Sequence, residues 1–301
     1  MMLHARALAA PLLIALISFA VLPSRATADD LPAVSGPNGK LSLEGGAYDD
    51  DGAGIAVGSF ALPLGHRFGA QAEGAVGVID DEIMGGGGLH LFARNPESYL
   101  LGVFGGVYTW DSIDIWRIAG EGELYVNRFS FSGLAGYEDI SLPSTINGVP
   151  LDMSSNSGFF AQADVAYYIT DDFKVYGGYR YVDDVSLGAA GAEYLLRESG
   201  FPISLFAKSD FGNDDYTRVT GGIKAYFSDD PGKSLIDRHR MDDPDTYLPV
   251  FPKITQTTPT CKVNSRGNVD SPADGDCICP SGTSNAGSRP IKGKIYTCSV
   301  H

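Results

Sequence analysis

The stretch YTRVTGGIKAYF, Tyr216 to Phe227, has the most regular pattern in the sequence. Successive side chains of an extended strand point to opposite faces. One face carries apolar residues and glycine: Val219, Gly221, Ile223, Ala225 and Phe227. The other face carries polar residues and a phenol: Arg218, Thr220, Lys224 and Tyr226. One face suits lipid and the other suits water, which is typical of a transmembrane β-strand.

The same alternation extends upstream. In Ile113 to Val126, apolar residues such as Trp116 and Ile118 alternate with Arg117, Glu121 and Glu123, and Phe173 to Val182 has a similar pattern. Segments of this length, separated by turn residues, fit consecutive antiparallel transmembrane strands. We predict twelve: Lys40–Tyr48, Gly54–Leu64, Phe68–Ile79, Ile83–Arg94, Ser98–Trp110, Ile113–Val126, Phe129–Ile140, Gly158–Ile169, Phe173–Val182, Ser186–Arg197, Pro202–Asp210 and Tyr216–Phe227. The second and fifth are apolar on both faces, which suits a soluble core equally well.

Composition agrees with an all-β chain. The 38 Gly, 15 Tyr and 15 Phe favour strands and turns over helices. After the N-terminal apolar run, no apolar stretch approaches the roughly 20 residues of a membrane-spanning helix. The fold class is therefore all-β, a 12-stranded antiparallel transmembrane β-barrel with a small disulfide-stapled C-terminal extension, and a soluble all-β secreted protein is the alternative.

The connections between the predicted strands alternate in character. One set is short, as at Asn127-Arg128, and the other includes the longest, Ser141 to Ser157. The second set is rich in acid, and its clusters predict an acidic outer rim: Asp49, Asp50, Asp51, Asp80, Asp81, Glu82, Asp183, Asp184, Asp214 and Asp215. Further carboxylates assigned to these connections include Glu138 and Asp139. Such a rim would attract cations, divalent cations among them, and repel anions.

Ionisable residues on the polar faces are candidates for the barrel lumen, because charges at membrane depth need water or one another. The predicted lumen-facing residues are Glu73, Arg94, Arg117, Glu121, Glu123, Asp164, Lys174, Arg180, Glu193, Lys208, Arg218 and Lys224. Their mixed signs permit either a wet pore or a salt-bridged plug.

The last predicted strand resembles the terminal signal of bacterial outer-membrane proteins through Thr220, Gly222, Ala225 and Phe227. Segments such as YYITDDF, Tyr167 to Phe173, are also similar to the turns and strands of porin-like barrels of Gram-negative bacteria. The resemblance covers about residues 39 to 227 and implies outer-membrane lipid as the surroundings. In that family the aromatic usually closes the chain, whereas here the chain continues to His301.

The N-terminus has the order of a secretory signal peptide. Residues 1–28 contain a basic start, an apolar run from Ala7 to Leu22 and the small residues Ala26-Thr27-Ala28. A retained N-terminal anchor is the alternative. We therefore expect export, with residues 29–229 as the barrel and its N-terminus in the periplasm. A net charge of −15 excludes nucleic acid as a partner.

Two further segments follow the barrel. Residues 230–260 contain several prolines and predict a linker with at most one short helix, Ser234 to Arg240, in which His239 is expected to be solvated. Residues 261–301 hold all four cysteines, Cys261, Cys277, Cys279 and Cys298. In an exported chain these favour disulfides over a zinc site, with the pairing left open. We expect this stapled module in the periplasm.

Three functions fit these observations. The first is a narrow channel for small solutes with a cation-favouring rim. The second is a non-conducting barrel that anchors the C-terminal module for a periplasmic partner. The third, a membrane hydrolase, is disfavoured because no serine motif accompanies His90, the one histidine well within a strand. We therefore expect a non-enzyme without cofactor or metal.

Overall fold

The computed structural model describes residues 31–250, apart from gaps at 49–50, 111–112, 142–144, 147–148, 151–155, 183–184, 198–200 and 213–215, and the backbone of four short strands between residues 262 and 300. The predicted signal peptide lies outside these residues. Among them, no helix is long and apolar enough to cross a membrane.

Twelve strands form a closed antiparallel barrel, which confirms the predicted 12-stranded all-β barrel. In chain order the strands up to the longest connection are β1 Asn38–Tyr48, β2 Asp51–Pro63, β3 Phe68–Ile79, β4 Glu82–Asn95, β5 Tyr99–Trp110, β6 Ile113–Val126 and β7 Phe129–Ser141. That connection contains a small hairpin of β8 Thr145–Ile146 and β9 Val149–Pro150. The wall then continues with β10 Asn156–Thr170, β11 Phe173–Val182, β12 Val185–Leu196, β13 Ile203–Gly212 and β14 Thr217–Phe227.

The barrel closes where the first strand meets the last. β1 pairs with β14 in an unbroken register from Gly39 opposite Phe227 to Tyr48 opposite Arg218. The strands approach closely here, since a Cβ atom on Gly222 would lie 2.0 Å from the Leu43 carbonyl oxygen. Glycine at this position therefore permits the seam.

The outer face of the wall is apolar. Large side chains on alternate positions of every strand are exposed, among them Leu43, Val76, Leu91, Val107, Ile118, Phe159 and Ile223. A water-soluble protein rarely exposes an apolar surface of this extent. Together with the even number of antiparallel strands, this surface identifies a membrane barrel of the outer-membrane type.

The two ends of the barrel differ. At one end, here called the short-turn end, the connections are tight, and residues 31–37 and the chain after Phe227 lie against them. Ala33, for example, donates its N–H to the His66 carbonyl. At the other end, the rim end, lie the long connection between β7 and β10 and the exposed Asp80-Asp81 turn, whose residues have φ of 53° and 59°.

The described part of the predicted linker does not lie free in solvent. A single helix, α1 Leu235–Met241, begins after Ser234, whose hydroxyl accepts a hydrogen bond from the Asp237 N–H. The helix sits at the short-turn end, and the chain after it runs without regular structure into the barrel. We call residues 234–250 the lumenal segment. A linker composition thus coexists with buried contacts, because the barrel wall supplies the partners of its polar groups.

Beyond residue 250, the described backbone forms a small sheet of β15 Lys262–Val263, β16 Asn268–Asp270, β17 Thr283–Asn285 and β18 Tyr296–Val300. Cys261, Cys277 and Cys279 lie outside the described residues, so the predicted disulfides stay a prediction.

Candidate functional site: the barrel lumen

All twelve predicted lumen residues lie on inward faces of the wall, and none of them is solvent-exposed. Arg94 and Glu121 are almost completely buried. The lumen-facing residues alternate with lipid-facing neighbours. Arg117, for example, lies between Trp116 and Ile118, which are 44% and 59% exposed. The lumen is therefore lined by charges at membrane depth, which need partners inside the barrel.

Most of these charges pair with a charge on the next strand of the wall or on the next strand but one. The shorter pairs are Arg117 with Glu138 at 2.7 Å, Arg180 with Asp164 at 2.8 Å, Lys208 with Glu44 at 2.6 Å, Lys224 with Glu193 at 2.9 Å, and Arg218 with Asp210. Glu44, Asp210 and Glu138 also face the lumen, although they are not among the twelve predicted lumen residues. The prediction that Glu138 belongs to an outward connection is wrong, because β7 continues past it and turns its side chain inward. Strict alternation from Leu134, which is also buried, would have found it.

His90 sits at the centre of a second group. Its Nδ1 lies 2.9 Å from Glu121 Oε2 and its Nε2 lies 3.3 Å from Glu73 Oε2, while the Tyr108 hydroxyl donates to Glu73 Oε1 at 2.8 Å. Both ring nitrogens face carboxylates, an arrangement that a doubly protonated ring satisfies. The ring is thus engaged on both sides and is not free to act as the base of a hydrolytic nucleophile.

His239 of α1 is not solvated, contrary to expectation. It lies inside the barrel mouth, with Nδ1 2.8 Å from the Tyr168 hydroxyl and Nε2 3.1 Å from the Tyr226 hydroxyl. Tyr226 donates its own proton to Glu193 Oε1. The His239 Nε2–H therefore donates to Tyr226, and in a neutral imidazole Nδ1 accepts from Tyr168.

The surroundings of His239 favour that neutral form. Burial and the nearby Lys174 ammonium hold the pKa of His239 well below its ordinary value, although the Glu193 carboxylate acts in the opposite direction. His239 and the charged and titratable groups that face it form what we call the His239 cluster. Its other members are Tyr168, Lys174, Glu193, Lys224, Tyr226 and Asp245. Contact with four wall strands fixes α1 at the short-turn end.

The chain after α1 supplies carboxylates to basic wall residues. Asp243 lies 3.0 Å from Lys40 Nζ and accepts a 2.8 Å hydrogen bond from the Ser59 hydroxyl. Lys40 also donates to the Pro244 carbonyl at 2.6 Å. Asp245 follows, 3.7 Å from Lys174 Nζ. Polar contacts thus continue from α1 into the lumen.

Further along the lumenal segment, apolar packing replaces most of the polar contacts. The Tyr247 carbonyl lies 3.3 Å from the Tyr108 hydroxyl, and its ring is 5.8 Å from that of His90. Leu248 packs against the buried group Tyr48, Ile55, Val57, Ala75, Ile79, Met84, Ile113, Ile115 and Ile140. Val250 packs with a second group that includes Phe104, Phe160 and Val182. The lumen towards the rim end is therefore a packed core rather than open water.

A polar cavity of about 150 Å³ remains beside the lumenal segment. It is lined mainly by β10 to β14, with Asp164, Arg180 and Lys208 on the wall and Asp245 on the segment. The twelve predicted residues therefore divide between a filled side of the lumen, around His90, and a hollow side.

Four of the ten predicted rim carboxylates are described. Asp51, Asp80, Asp81 and Glu82 are exposed at the rim end, and the remaining six lie outside the described residues. Within the part of the chain that the structure describes, no group of three or more histidine, cysteine or acidic residues could hold a metal ion.

No protein-family model matches the chain, and no curated protein matches its sequence. Among solved structures, it is similar to the KdgM porin in complex with disordered oligogalacturonate, with 9% identity, a TM-score of 0.47, and coverage of 63% of this chain and 99% of that chain. The NanC porin shares 12% identity, with a TM-score of 0.45 and coverage of 62% and 99%. The COG4313 outer membrane channel from Pseudomonas putida F1 shares 9% identity, with a TM-score of 0.45 and coverage of 66% and 97%. The closed ring of strands and the apolar outer face make this chain a β-barrel of the outer-membrane type, with its own chain inside the lumen.

Proposed function

We propose that the protein is a narrow channel for small solutes in the outer membrane, and that the lumenal segment closes it in the conformation described here. The observation that carries this proposal is the polar cavity between the segment and β10 to β14. It lies along the side of the lumen that is lined by charged groups. The segment that bounds it is not part of the β-ladder of the wall, although wall side chains such as Lys40 and Ser59 donate hydrogen bonds to it.

The wall is suited to stand without the segment. Its short ion pairs, such as Arg117 with Glu138 and Lys208 with Glu44, join wall residue to wall residue. Asp243 and Asp245 of the segment pair with Lys40 and Lys174, which water could solvate instead. Twelve strands lie between the roughly eight that side chains fill and the roughly sixteen that enclose an aqueous channel.

The rim would set the preference among solutes. Asp51, Asp80, Asp81 and Glu82 at the rim end would raise the local concentration of cations, including divalent ones. The channel is therefore proposed to favour cationic over anionic small solutes.

Conductance in planar bilayers tests the proposal with three chains: the full chain, a chain that stops after Val250, and a chain that stops after Ser228. The second keeps the lumenal segment and is the matched control for loss of residues 251–301. We expect the first two to stay largely closed and the third to show stepwise currents. A heat-modifiable, folded third chain without conductance would refute the channel.

The second candidate function is a non-conducting anchor. It is favoured by the packing of Leu248 and Val250 into two buried apolar groups, since such packing makes the segment part of the core. In that case the barrel holds residues 261–301, with disulfides among the four cysteines, for a partner. Absence of conductance from all three chains would support this function.

A further inference from the structure

The direction of the lumenal segment bears on where the chain goes after residue 250. The start of β1 and the end of β14 lie at the short-turn end, and the sequence predicts the C-terminal extension on that same, periplasmic side. The contacts of the lumenal segment lead away from the short-turn end instead.

These contacts move from one end of the barrel to the other. Arg240 donates to the Phe129 carbonyl, at the start of β7 and at the short-turn end. Asp243 contacts Lys40, near the start of β1. Leu248 and Val250 then pack against groups that include Tyr48 and Val182, the last residues of β1 and β11, which end at the rim end.

The length of chain agrees with this course. Asp242 to Val250 are nine residues, which span at most about 30 Å when extended. The hydrocarbon core of a membrane is also about 30 Å thick. Nine residues are therefore sufficient to cross most of the barrel, and no return path is described within them.

Charge supplies an independent argument. Residues 251–301 contain six Lys or Arg and three Asp, a net charge of +3 in a chain of net charge −15. The rim end exposes Asp51 and the Asp80-Asp81-Glu82 cluster. The short-turn end is mixed, with Arg67, Arg128 and Arg197 beside Asp171 and Asp172. A basic tail is thus complementary to the rim end.

We infer that the chain leaves the lumen at the rim end, so that residues 251–301 lie on the side of the membrane opposite α1, over the acidic rim. The barrel would then carry its own C-terminal module across the membrane through its lumen. This inference rests on the course of the segment and is independent of whether the barrel conducts.

Epitope tags in intact cells test the inference. One tag follows His301 in the full chain, a second is inserted between Asp80 and Asp81 at the rim end, and a third between Glu97 and Ser98 at the short-turn end. The last two report which end faces outward. We expect the C-terminal tag to have the accessibility of the Asp80-Asp81 tag, whichever end that is. Accessibility equal to that of the Glu97-Ser98 tag would overturn the inference.

A second readout uses the untagged tail. Trypsin added to the rim-end side should cleave the tail after Lys262 or Arg266 while a tag in the barrel persists. Trypsin added to the short-turn side should leave the tail uncleaved. Heat modifiability verifies that each tagged barrel is folded. Cleavage from the short-turn side alone would contradict the inference even if a C-terminal tag disturbed the tail.

Discussion

At the scale of single residues, His239 has the clearest consequence. The pKa of His239 lies well below its ordinary value while α1 is docked. The docked state therefore binds fewer protons than the undocked state. Stability of the docked helix is therefore fully present above about pH 6.5, the ordinary pKa of histidine, and is lost as the pH falls below it.

We predict that hydrogen exchange of the α1 amides, corrected for intrinsic rates, increases below about pH 6.5 in the full chain. The His239→Asn variant keeps a neutral polar side chain that cannot titrate, so it should show no such step. A flat profile in the unaltered chain, or an identical step in the variant, would contradict the assignment of a neutral His239.

Arg117 and Glu138 give a second prediction. They are buried, 2.7 Å apart, and the guanidinium lies 4.6 Å from the centre of the Phe160 ring. Arg117→Met leaves the Glu138 carboxylate buried without its cation, which typically costs about 3 to 5 kcal/mol. Urea unfolding in detergent micelles measures this loss.

The matched control is the double variant Arg117→Met with Glu138→Leu. It removes both charges, so its free energy of unfolding should lie close to that of the unaltered chain. If the double variant were as unstable as Arg117→Met, the effect would come from packing around Phe160 and not from the unpaired carboxylate.

Residue-scale prediction succeeded where alternation alone determines orientation. Arg218, Lys224 and Arg117 face the lumen because their neighbours need lipid. It failed for His239, since the contacts of His239 with Tyr168 and Tyr226 arise only when the chain turns back into the barrel. Nothing in the spacing of residues 230–260 signals that return.

At the scale of elements, the seam between β1 and β14 depends on glycine. A Cβ on Gly222 would lie 2.0 Å from the Leu43 carbonyl oxygen and 2.9 Å from Glu44 Cα, both backbone atoms. We predict that Gly222→Ala reduces the heat-modifiable, closed form on gels. Gly120→Ala in β6 is the matched control, because a Cβ there meets open space. Equal yields of the closed form from both variants would contradict the role of the seam glycine.

The ambiguous strands β2 and β5 now have a physical explanation. Their inward residues Ile55, Val57 and Phe104 pack against Leu248, Tyr247 or Val250 rather than against water. A strand that is apolar on both faces is thus what a barrel needs where its lumen holds an apolar segment. The sequence pattern could not separate a barrel strand of this kind from a strand in a soluble core. Both are apolar on two faces, and they differ only in whether lipid or protein lies against the outer face.

At the scale of the whole molecule, charge is sorted between the two ends. In the chain that stops after Ser228, we predict a cation-selective reversal potential under a salt gradient, which shifts towards zero in the variant Asp80→Asn, Asp81→Asn, Glu82→Gln. High salt should reduce the difference, because it screens exposed charges. An unchanged reversal potential would show that lumen charges, not the rim, set selectivity.

The number of strands, their order and the two faces of the wall were predictable because each follows from local alternation and from short turns. The content of the lumen was not. It depends on contacts such as Lys40 with Asp243, which lie 203 positions apart in the sequence. The amino-acid composition around Pro244 and Pro249 predicts a linker. It does not distinguish a chain in water from a chain that packs against the barrel wall.

The seam between β1 and β14 also sets an order of events during biogenesis. It joins the first wall strand to the last, so the cylinder cannot close before β14 is in place. The lumenal segment follows β14 in the chain. If the cylinder closed first, the segment would have to thread in through the short-turn opening with residues 251–301 ahead of it. If the segment folded back onto the still-open sheet, closure would enclose it without threading, and the last pairing of the wall would then be the step that commits the molecule to an occupied interior.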